Sequence, residues 1–270
     1  MTSTAKTFLY GGHVRANGIR QHYLRYGGKG APLVLIPGIT SPAITWGFVG
    51  ERLGRNYDTY VLDVRGRGLS ESGPDLDYSL DTYVKDASGF AAALKLDRYR
   101  LVGHSMGARI AARMGRTEGA KLERVALIDP PLSGPGRRPY VKSLSFYLDA
   151  IHEAREGRAD VEAIRKTYPG WTEEQLRLRA EWLYTCDDTA IEASLRGINE
   201  DDIHVDLPKI VAPALLMVAG KGGVIDADDI AGVQKLLPSI VVKKLEHVGH
   251  MIPFDDLEGF LGALDGFLAG

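Results

Sequence analysis

Residues 100–114 read Arg100-Leu-Val-Gly-His-Ser-Met-Gly-Ala-Arg-Ile-Ala-Ala-Arg-Met114. The apolar start of this stretch is typical of a buried strand, and its end is typical of a helix. The turn between them has the pattern Gly103-His-Ser-Met-Gly107. A serine on a sharp strand-to-helix turn projects its hydroxyl into solvent, and the helix N-terminus directs free N–H groups toward it. The five-residue pattern alone is a weak signal, but in this setting it predicts that Ser105 is a nucleophile.

The same alternation of strand and helix continues on both sides of this turn. Short apolar runs end in glycine or a polar residue, and helix-like stretches follow them. Continuous apolar runs of this kind indicate strands that helices cover on both faces. We therefore expect an α/β fold with a mostly parallel, doubly wound sheet, preceded by a hairpin that turns at Asn17-Gly18. The runs lie at 33–36, 60–62, 100–102, 125–128, 214–219 and 240–245.

One segment of the chain breaks the alternation. Residues 133–206 contain no strand-like run and show amphipathic helical patterns instead. Thr172-Glu-Glu-Gln175 is typical of a capping box that starts a helix running toward Cys186. Because an insertion of this length is too long for a plain connection, we expect a helical lid at 133–206 after the sixth strand. The α/β core would then comprise 1–132 and 207–270.

The composition excludes several classes of function. The chain has 33 Lys and Arg residues against 35 Asp and Glu, a net charge of −2, and so lacks the electropositive signature of a nucleic-acid-binding protein. No stretch reaches the ~18 consecutive apolar residues of a membrane helix, and the N-terminal residues lack the apolar core of a signal peptide. The single cysteine, Cys186, excludes an intrachain disulfide and a cysteine-rich zinc site. We expect a cytoplasmic protein with no nucleic-acid or membrane partner.

A nucleophilic serine needs a base, and the chain has seven histidines. In the chain order of such hydrolases, the histidine follows both the nucleophile and the acid. His250 fits this order, because Gly249-His250 lies a few residues past the last predicted strand, at the carboxyl edge of the sheet beside Ser105. We expect the other histidines to be structural or exposed: His13, His22, His104, His152, His204 and His247.

Four motifs together resemble the α/β-hydrolase family over nearly the whole chain. They are Pro37-Gly38 after the third strand, Asp63-Val-Arg-Gly-Arg-Gly-Leu-Ser70 after the fourth, the Ser105 turn, and Gly249-His250. The resemblance implies that the Asp63 motif shapes a turn supporting the site. It also implies an oxyanion hole made by the backbone N–H groups of Met106 and Ile39. Serine at the turn argues against epoxide hydrolases and dehalogenases, which use aspartate there.

The acid is where this chain departs from the common family pattern. The family's acid usually follows the strand before the last, in a Gly-x-x-Asp arrangement. Here Gly220-Lys-Gly-Gly223 has glycine in that place, and Asp226 comes a few residues later. Asp129, directly after the strand at 125–128, occupies another position that the family uses. We favour Asp129 as the group that orients His250, with Asp226 as the alternative.

Several stretches are similar to family members that act in bacterial nicotinate catabolism. This resemblance implies that the chain hydrolyses N-formylmaleamate to maleamate and formate, through a formyl ester of Ser105 and without a metal or other cofactor. It also implies an acid after the sixth strand, which agrees with Asp129. The similar stretches lie at 16–28, 36–47, 129–131, 133–138, 179–183 and 215–220.

A substrate of this kind carries a carboxylate, and the predicted lid offers Arg137, Arg138 and Arg179 as partners. The spacing of Arg179 with neighbouring leucines turns it toward the apolar face of its helix, and a guanidinium can bind a carboxylate through two hydrogen bonds. The alternative is an arginine whose stem packs while its head reaches water. Trp46 and Trp182 are further candidates to line the pocket, with core packing as the alternative.

Two other classes of function stay open from the residues alone. One is a serine hydrolase that acts on a different acyl bond, such as a meta-cleavage C–C hydrolase or a carboxylesterase. The other is a ligand-binding protein on a hydrolase scaffold, which the presence of serine, histidine and an acid disfavours. Ester assays beside the formyl amide distinguish the first class, and a covalent serine probe distinguishes the second.

Overall fold

A single eight-stranded sheet forms the centre of the computed structural model, which describes residues 6–270. The strands are β1 (Phe8–Ala16), β2 (Ile19–Tyr26), β3 (Pro32–Ile36), β4 (Asp58–Leu62), β5 (Tyr99–His104), β6 (Leu122–Ile128), β7 (Ala214–Ala219) and β8 (Val241–Leu245). Their order across the sheet is β1-β2-β4-β3-β5-β6-β7-β8. β2 is antiparallel to both β1 and β4, and every later neighbour pair is parallel. The predicted mostly parallel sheet is confirmed.

The predicted hairpin is formed by β1 and β2, which pair from Ala16 and Ile19 outward. Asn17 and Gly18 occupy the turn with φ of 46° and 81°. Positive φ at both central residues is the geometry that matches the twist of the flanking strands, and asparagine followed by glycine adopts it most readily. The local sequence is therefore sufficient to specify this turn.

Helices cover the sheet on both faces. They are α1 (Gly47–Leu53), α2 (Leu80–Ala93), α3 (Met106–Thr117), α4 (Leu144–Arg155), α5 (Val161–Thr167), α6 (Glu173–Trp182), α7 (Asp188–Glu200), α8 (Ala227–Leu236), α9 (Ile252–Asp255) and α10 (Leu257–Ala269). Within β3, Leu33 and Leu35 pack in the core with α1 and α10, whereas Val34 and Ile36 pack with α2 and α3. Both faces of the strand are thus buried, which explains its continuous apolar run. Among residues 6–270, no helix is long and apolar enough to cross a membrane.

The segment between β6 and β7 contains helices α4 to α7. α6 begins with the predicted capping box, in which Thr172 and Gln175 each accept a hydrogen bond from the other's backbone N–H. This helix ends at Trp182, and a 3-10 turn over Leu183–Thr185 continues it. Short 3-10 turns are common at helix ends. The boundaries expected for a core and a lid stay a prediction.

A buried arginine ties this helical segment to the sheet. Arg109 of α3 is only 1% exposed. Its guanidinium donates to the carbonyl oxygens of Pro131 and Ser133 after β6, at 2.7 and 3.1 Å, and to those of Gly197 and Asp201 at the end of α7, at 3.3 and 2.6 Å. Burial lowers the pKa of Arg109 to about 10. Arg109 thus fixes α3 both to the start of the segment and to the end of its last α-helix, α7.

Candidate active site

Ser105 lies on a strained turn between β5 and α3. Its backbone has φ 56° and ψ −119°, a combination that residues other than glycine rarely adopt. The Ser105 N–H donates to the Ile128 carbonyl oxygen at 2.9 Å, which fixes the turn to β6. The hydroxyl lines a cavity at the carboxyl edge of the sheet. The conformation is the one expected from the motif.

The two glycines of the motif are required by close backbone contacts. A Cβ atom on Gly103 would lie 2.2 Å from the Gly107 carbonyl oxygen, and one on Gly107 would lie 2.0 Å from the Ile36 carbonyl oxygen. Both distances are far shorter than any real contact of a Cβ atom. The absence of side chains at these two positions therefore lets α3 start directly against the end of β3.

Ser105, His250 and Asp129 meet at the carboxyl edge of the sheet. His250 Nε2 lies 2.9 Å from Ser105 Oγ, and His250 Nδ1 lies 2.7 Å from Asp129 Oδ2. A proton on Nδ1 is donated to the carboxylate, and Nε2 then faces the hydroxyl as an acceptor. The structure thus brings together the three residues predicted for the triad, in an arrangement that can move the serine proton to the imidazole.

The Asp129 carboxylate is fully buried and is held by three donors. Besides His250, it accepts hydrogen bonds from the backbone N–H groups of Ala219 and Val224, at 3.1 and 3.4 Å. Asp129 follows β6 directly and has φ 44°, a conformation that aspartate tolerates better than most residues. These contacts offset the cost of burying the charge and fix the direction of the carboxylate.

The glycine-rich loop after β7 packs against this carboxylate. A Cβ atom on Gly223 would lie 3.2 Å from Asp129 Oδ2, so the loop that lacks the usual acid covers the acid from β6. Asp226 caps the N-terminus of α8, where Oδ1 accepts from the Asp229 N–H at 2.9 Å and Oδ2 lies 3.3 Å from an Arg138 nitrogen. The geometry does not support Asp226 as the partner of His250.

The two residues predicted to form an oxyanion hole both border Ser105. Met106 is the first residue of α3, where the backbone N–H has no acceptor within the helix. Ile39 belongs to the loop after β3 that lines the cavity. The Asp63 motif supports this loop, since Asp63 accepts a hydrogen bond from the Ala43 N–H and Arg67 donates to the Ile39 carbonyl oxygen at 2.9 Å. The support expected from this motif is thus present.

His104 packs beside the base and stays neutral. Burial lowers the pKa of His104 to about 3. Its Nε2 lies 2.9 Å from the His250 carbonyl oxygen, so that nitrogen carries the ring proton and donates it. The two rings are tilted, with centroids 4.9 Å apart. His104 therefore holds the main chain of His250 without adding a positive charge next to it.

A cavity of about 410 Å³ opens onto Ser105 and His250, a volume suited to a small organic molecule. The loop after β3 forms one wall. The opposite wall comes from the segment between β6 and β7 and is rich in aromatic rings that no motif in the sequence marks. Four of these residues are Tyr140, Tyr147, Tyr168 and Trp171.

Arg179 of α6 lines this cavity. The residue is 9% exposed, and both terminal nitrogens donate to Thr40, one to the carbonyl oxygen and one to Oγ1 at 2.9 Å. Its Nε has no partner, and Arg179 forms no ion pair within residues 6–270. Because a buried charge without a counter-ion is costly, the site is suited to an anionic ligand.

The other residues predicted to contact substrate lie outside the cavity. Trp46 is fully buried among aromatic rings of the core, and Trp182 is a half-buried residue at the end of α6 that does not line the walls. Contrary to the prediction, Trp171 is the cavity tryptophan. Arg137 and Arg138 face aspartates outside the cavity, with closest N–O distances of 3.8 and 2.7 Å.

Several of the remaining histidines pair with aspartates away from the cavity. Within the described part of the chain, no group of three or more His, Cys, Asp or Glu side chains could hold a metal ion. His247 is on the surface, as expected. The pairs are His22–Asp63 at 2.7 Å, His152–Asp188 at 2.7 Å, His204–Asp202 at 2.9 Å and His247–Asp256 at 2.8 Å.

Comparison with known proteins agrees with the fold and the site. The model of the alpha/beta hydrolase family matches residues 33–263. An N-formylmaleamate deformylase from Pseudomonas putida is 58% identical over 97% of this chain and 97% of its own length. The crystal structure of a variant of an N-formylmaleamic acid deformylase from Pseudomonas putida superposes with a TM-score of 0.90 at 50% identity, covering 94% of this chain and all of that one. A 2-(acetamidomethylene)succinate hydrolase from Mesorhizobium japonicum is 26% identical over 91% of this chain and 90% of its own length.

The contact between α3 and β3 gives a prediction for Gly107→Ala. The new methyl group would overlap the Ile36 carbonyl oxygen, so α3 must shift, and we expect the free energy of unfolding to fall by about 1–3 kcal/mol. Urea denaturation measures this change. Gly262→Ala in α10 is the matched control, because no neighbouring heavy atom lies within 4 Å of its added Cβ, and it should be neutral or stabilising by up to about 1 kcal/mol. Equal stability of the Gly107 variant and the wild type would contradict the steric argument.

Proposed function

Because the chain belongs to the alpha/beta hydrolase family, we propose that it hydrolyses N-formylmaleamate to maleamate and formate. One observation carries the proposal: the cavity that contains the Ser105 hydroxyl also contains a buried guanidinium with no carboxylate partner among residues 6–270. N-formylmaleamate has a formyl amide for the serine and a carboxylate for the arginine. The identity of 58% with an N-formylmaleamate deformylase over nearly the full chain supports the same substrate.

The reaction begins with acylation of Ser105. His250 Nε2 takes the hydroxyl proton while Oγ attacks the formyl carbon. The backbone N–H groups of Met106 and Ile39 stabilise the oxyanion, and Asp129 stabilises the imidazolium. The C–N bond then breaks, the nitrogen takes the proton from His250, and maleamate leaves. Because this nitrogen is bonded to a second acyl group, its developing negative charge is delocalised and it leaves more easily than an ordinary amine.

Deacylation uses the same groups with water as the nucleophile. His250 takes a proton from a water molecule, whose oxygen attacks the formyl carbon of the ester. The tetrahedral intermediate collapses, Ser105 Oγ regains its proton from His250, and formate leaves. Groups of the chain itself supply the nucleophile, carry out each proton transfer and stabilise the charges that develop. The proposal therefore needs no cofactor.

Arg179 binds the substrate carboxylate in this proposal. A guanidinium presents paired N–H donors to a carboxylate, and Arg179 lines the cavity without an ion pair among residues 6–270. The bonds to Thr40 hold the side chain in place before substrate arrives. Binding of the anion would supply the counter-ion that the buried cation lacks.

In our proposal, residues 133–206 act as the lid of this enzyme. Four side chains of this segment line the cavity: Tyr140, Tyr147, Trp171 and Arg179.

We also assign the enzyme to the cytoplasm. The single cysteine, Cys186, is buried, and a chain without disulfides suits a reducing compartment.

The test of the proposal is release of formate from N-formylmaleamate. We expect the wild type to release formate in steady state and to prefer this substrate to p-nitrophenyl esters. Ser105→Ala and His250→Ala should each lower kcat by about 10⁴-fold or more, because the triad acts as a unit. A preference for p-nitrophenyl esters would favour a carboxylesterase instead. Near-normal turnover by either variant would refute the serine mechanism.

The geometry around His250 separates the two candidate acids. Asp129→Asn should lower kcat by about 10⁴-fold, since the amide no longer enforces the productive tautomer or compensates the imidazolium. Asp226→Asn should leave kcat unchanged, because that residue caps α8 and lies beside Arg138, not beside His250. Circular dichroism of both variants checks that the fold is intact. The assignment is wrong if the Asp226 variant is the inactive one.

Binding of the carboxylate by Arg179 predicts a difference between charged and neutral substrates. Arg179→Gln should raise KM for N-formylmaleamate by about 10- to 100-fold, the worth of a charge-assisted hydrogen bond, and should change KM for p-nitrophenyl formate much less. Thr40→Val is the control, because it removes the hydroxyl that accepts from Arg179 but keeps the positive charge of the arginine. It should therefore raise KM for N-formylmaleamate less than Arg179→Gln does. Equal effects of Arg179→Gln on both substrates would show that the arginine only packs the wall.

A further inference from the structure

Two tyrosines of the cavity wall are joined through their hydroxyl groups. Tyr140 Oη and Tyr147 Oη are 3.1 Å apart, and both residues line the cavity together with Ser105 and His250. Tyr147 belongs to α4, whereas Tyr140 lies in the loop before that helix. The pair has no part in the triad, in the oxyanion hole or in binding the carboxylate.

Both phenols remain protonated at neutral pH. Burial raises the pKa of Tyr140 and, by more, that of Tyr147. Tyr140 lines the same cavity as the nucleophile Ser105. The wall next to Ser105 thus carries a neutral hydrogen-bond donor.

The pair leaves one hydrogen free for a ligand. Each phenol has a single hydrogen to donate. Either hydroxyl of the pair can donate to the other. When Tyr147, which is 7% exposed, donates to Tyr140, the more buried hydroxyl is satisfied. The hydrogen of Tyr140 is then free to point into the cavity, and the bond from Tyr147 makes it a stronger donor.

The leaving group of a formyl amide needs such a donor. When the C–N bond breaks, the electron pair passes to a nitrogen that is bonded to a second carbonyl, and the negative charge spreads to that carbonyl oxygen. His250 delivers its proton to the nitrogen, and the backbone donors of Met106 and Ile39 serve the formyl oxygen. No group in that scheme contacts the second oxygen.

We propose that Tyr140 donates a hydrogen bond to the carbonyl oxygen of the departing amide, and that Tyr147 positions the Tyr140 hydroxyl for this task. The inference rests on the proposed deformylase function and adds a group to it. No proton is transferred at Tyr140. The bond strengthens as charge develops on the oxygen, so it stabilises the transition state more than the bound substrate.

The test compares two formyl donors that differ in their leaving groups. p-Nitrophenolate leaves without help and offers no carbonyl oxygen to Tyr140. Tyr140→Phe should therefore lower kcat/KM for N-formylmaleamate by about 10- to 100-fold and leave kcat/KM for p-nitrophenyl formate near the wild-type value. Tyr147→Phe should show a smaller loss, again confined to the amide, because it removes only the group that orients the donor.

Tyr184→Phe is the matched control, since Tyr184 is 52% exposed and lies outside the cavity, and it should change neither rate. Equal losses on both formyl donors in Tyr140→Phe would overturn the inference, because they would indicate a general effect on the wall. An unchanged rate on the amide would overturn it too. Wild-type protein that cleaves p-nitrophenyl formate but not N-formylmaleamate would instead overturn the proposed function, and this measurement precedes the variants.

Discussion

The buried carboxylate of Asp129 connects the parts of the fold that make the site. It accepts hydrogen bonds from the end of β7, from the loop before α8 and from His250 after β8, while its own main chain continues β6. A buried anion without such donors would destabilise the fold by several kcal/mol or would take up a proton. The same hydrogen bonds that make the charge tolerable therefore align the imidazole with Ser105. The stability of this edge of the sheet and the orientation of His250 therefore both depend on the Asp129 carboxylate.

The parts of this molecule that the sequence predicts are those in which local geometry dictates residue type. Gly103 and Gly107 leave no room for a Cβ atom, and Asn17-Gly18 supplies the positive φ of the hairpin turn. The positions of central strands such as β3 and β7 could be predicted because these strands are almost entirely buried, which gives them continuous apolar runs. The missing carboxylate after β7, together with the family resemblance, favours Asp129 over Asp226. The structure adds a reason for that absence, because the glycine-rich loop must approach the Asp129 carboxylate closely.

The cavity wall could not be predicted in the same way. Whether a residue of α4 to α6 faces the cavity or the core depends on how those helices dock on the sheet, and no local motif fixes that docking. Helical periodicity predicts Arg179 on the apolar face of α6, and the residue is buried there. The same kind of reasoning could not choose among tryptophans, since an aromatic ring suits a core and a pocket equally well. Trp46 is in the core, and Trp171 stacks on Phe254 at the edge of the cavity with ring centroids 4.3 Å apart.

Comparison of three buried arginines shows why Arg179 is the one suited to a ligand. The terminal nitrogens of Arg67 donate to carbonyl and hydroxyl oxygens, and its Nε donates to the Ile39 carbonyl. Arg109 donates to four carbonyl oxygens. Both therefore act as fixed connectors between the sheet and the helices above it. Among residues 6–270, Arg179 has only Thr40 as a hydrogen-bond partner, and its buried Nε has none. Arg179 lines the cavity, whereas Arg67 and Arg109 do not, so it is the cation of these three that an anionic substrate can reach.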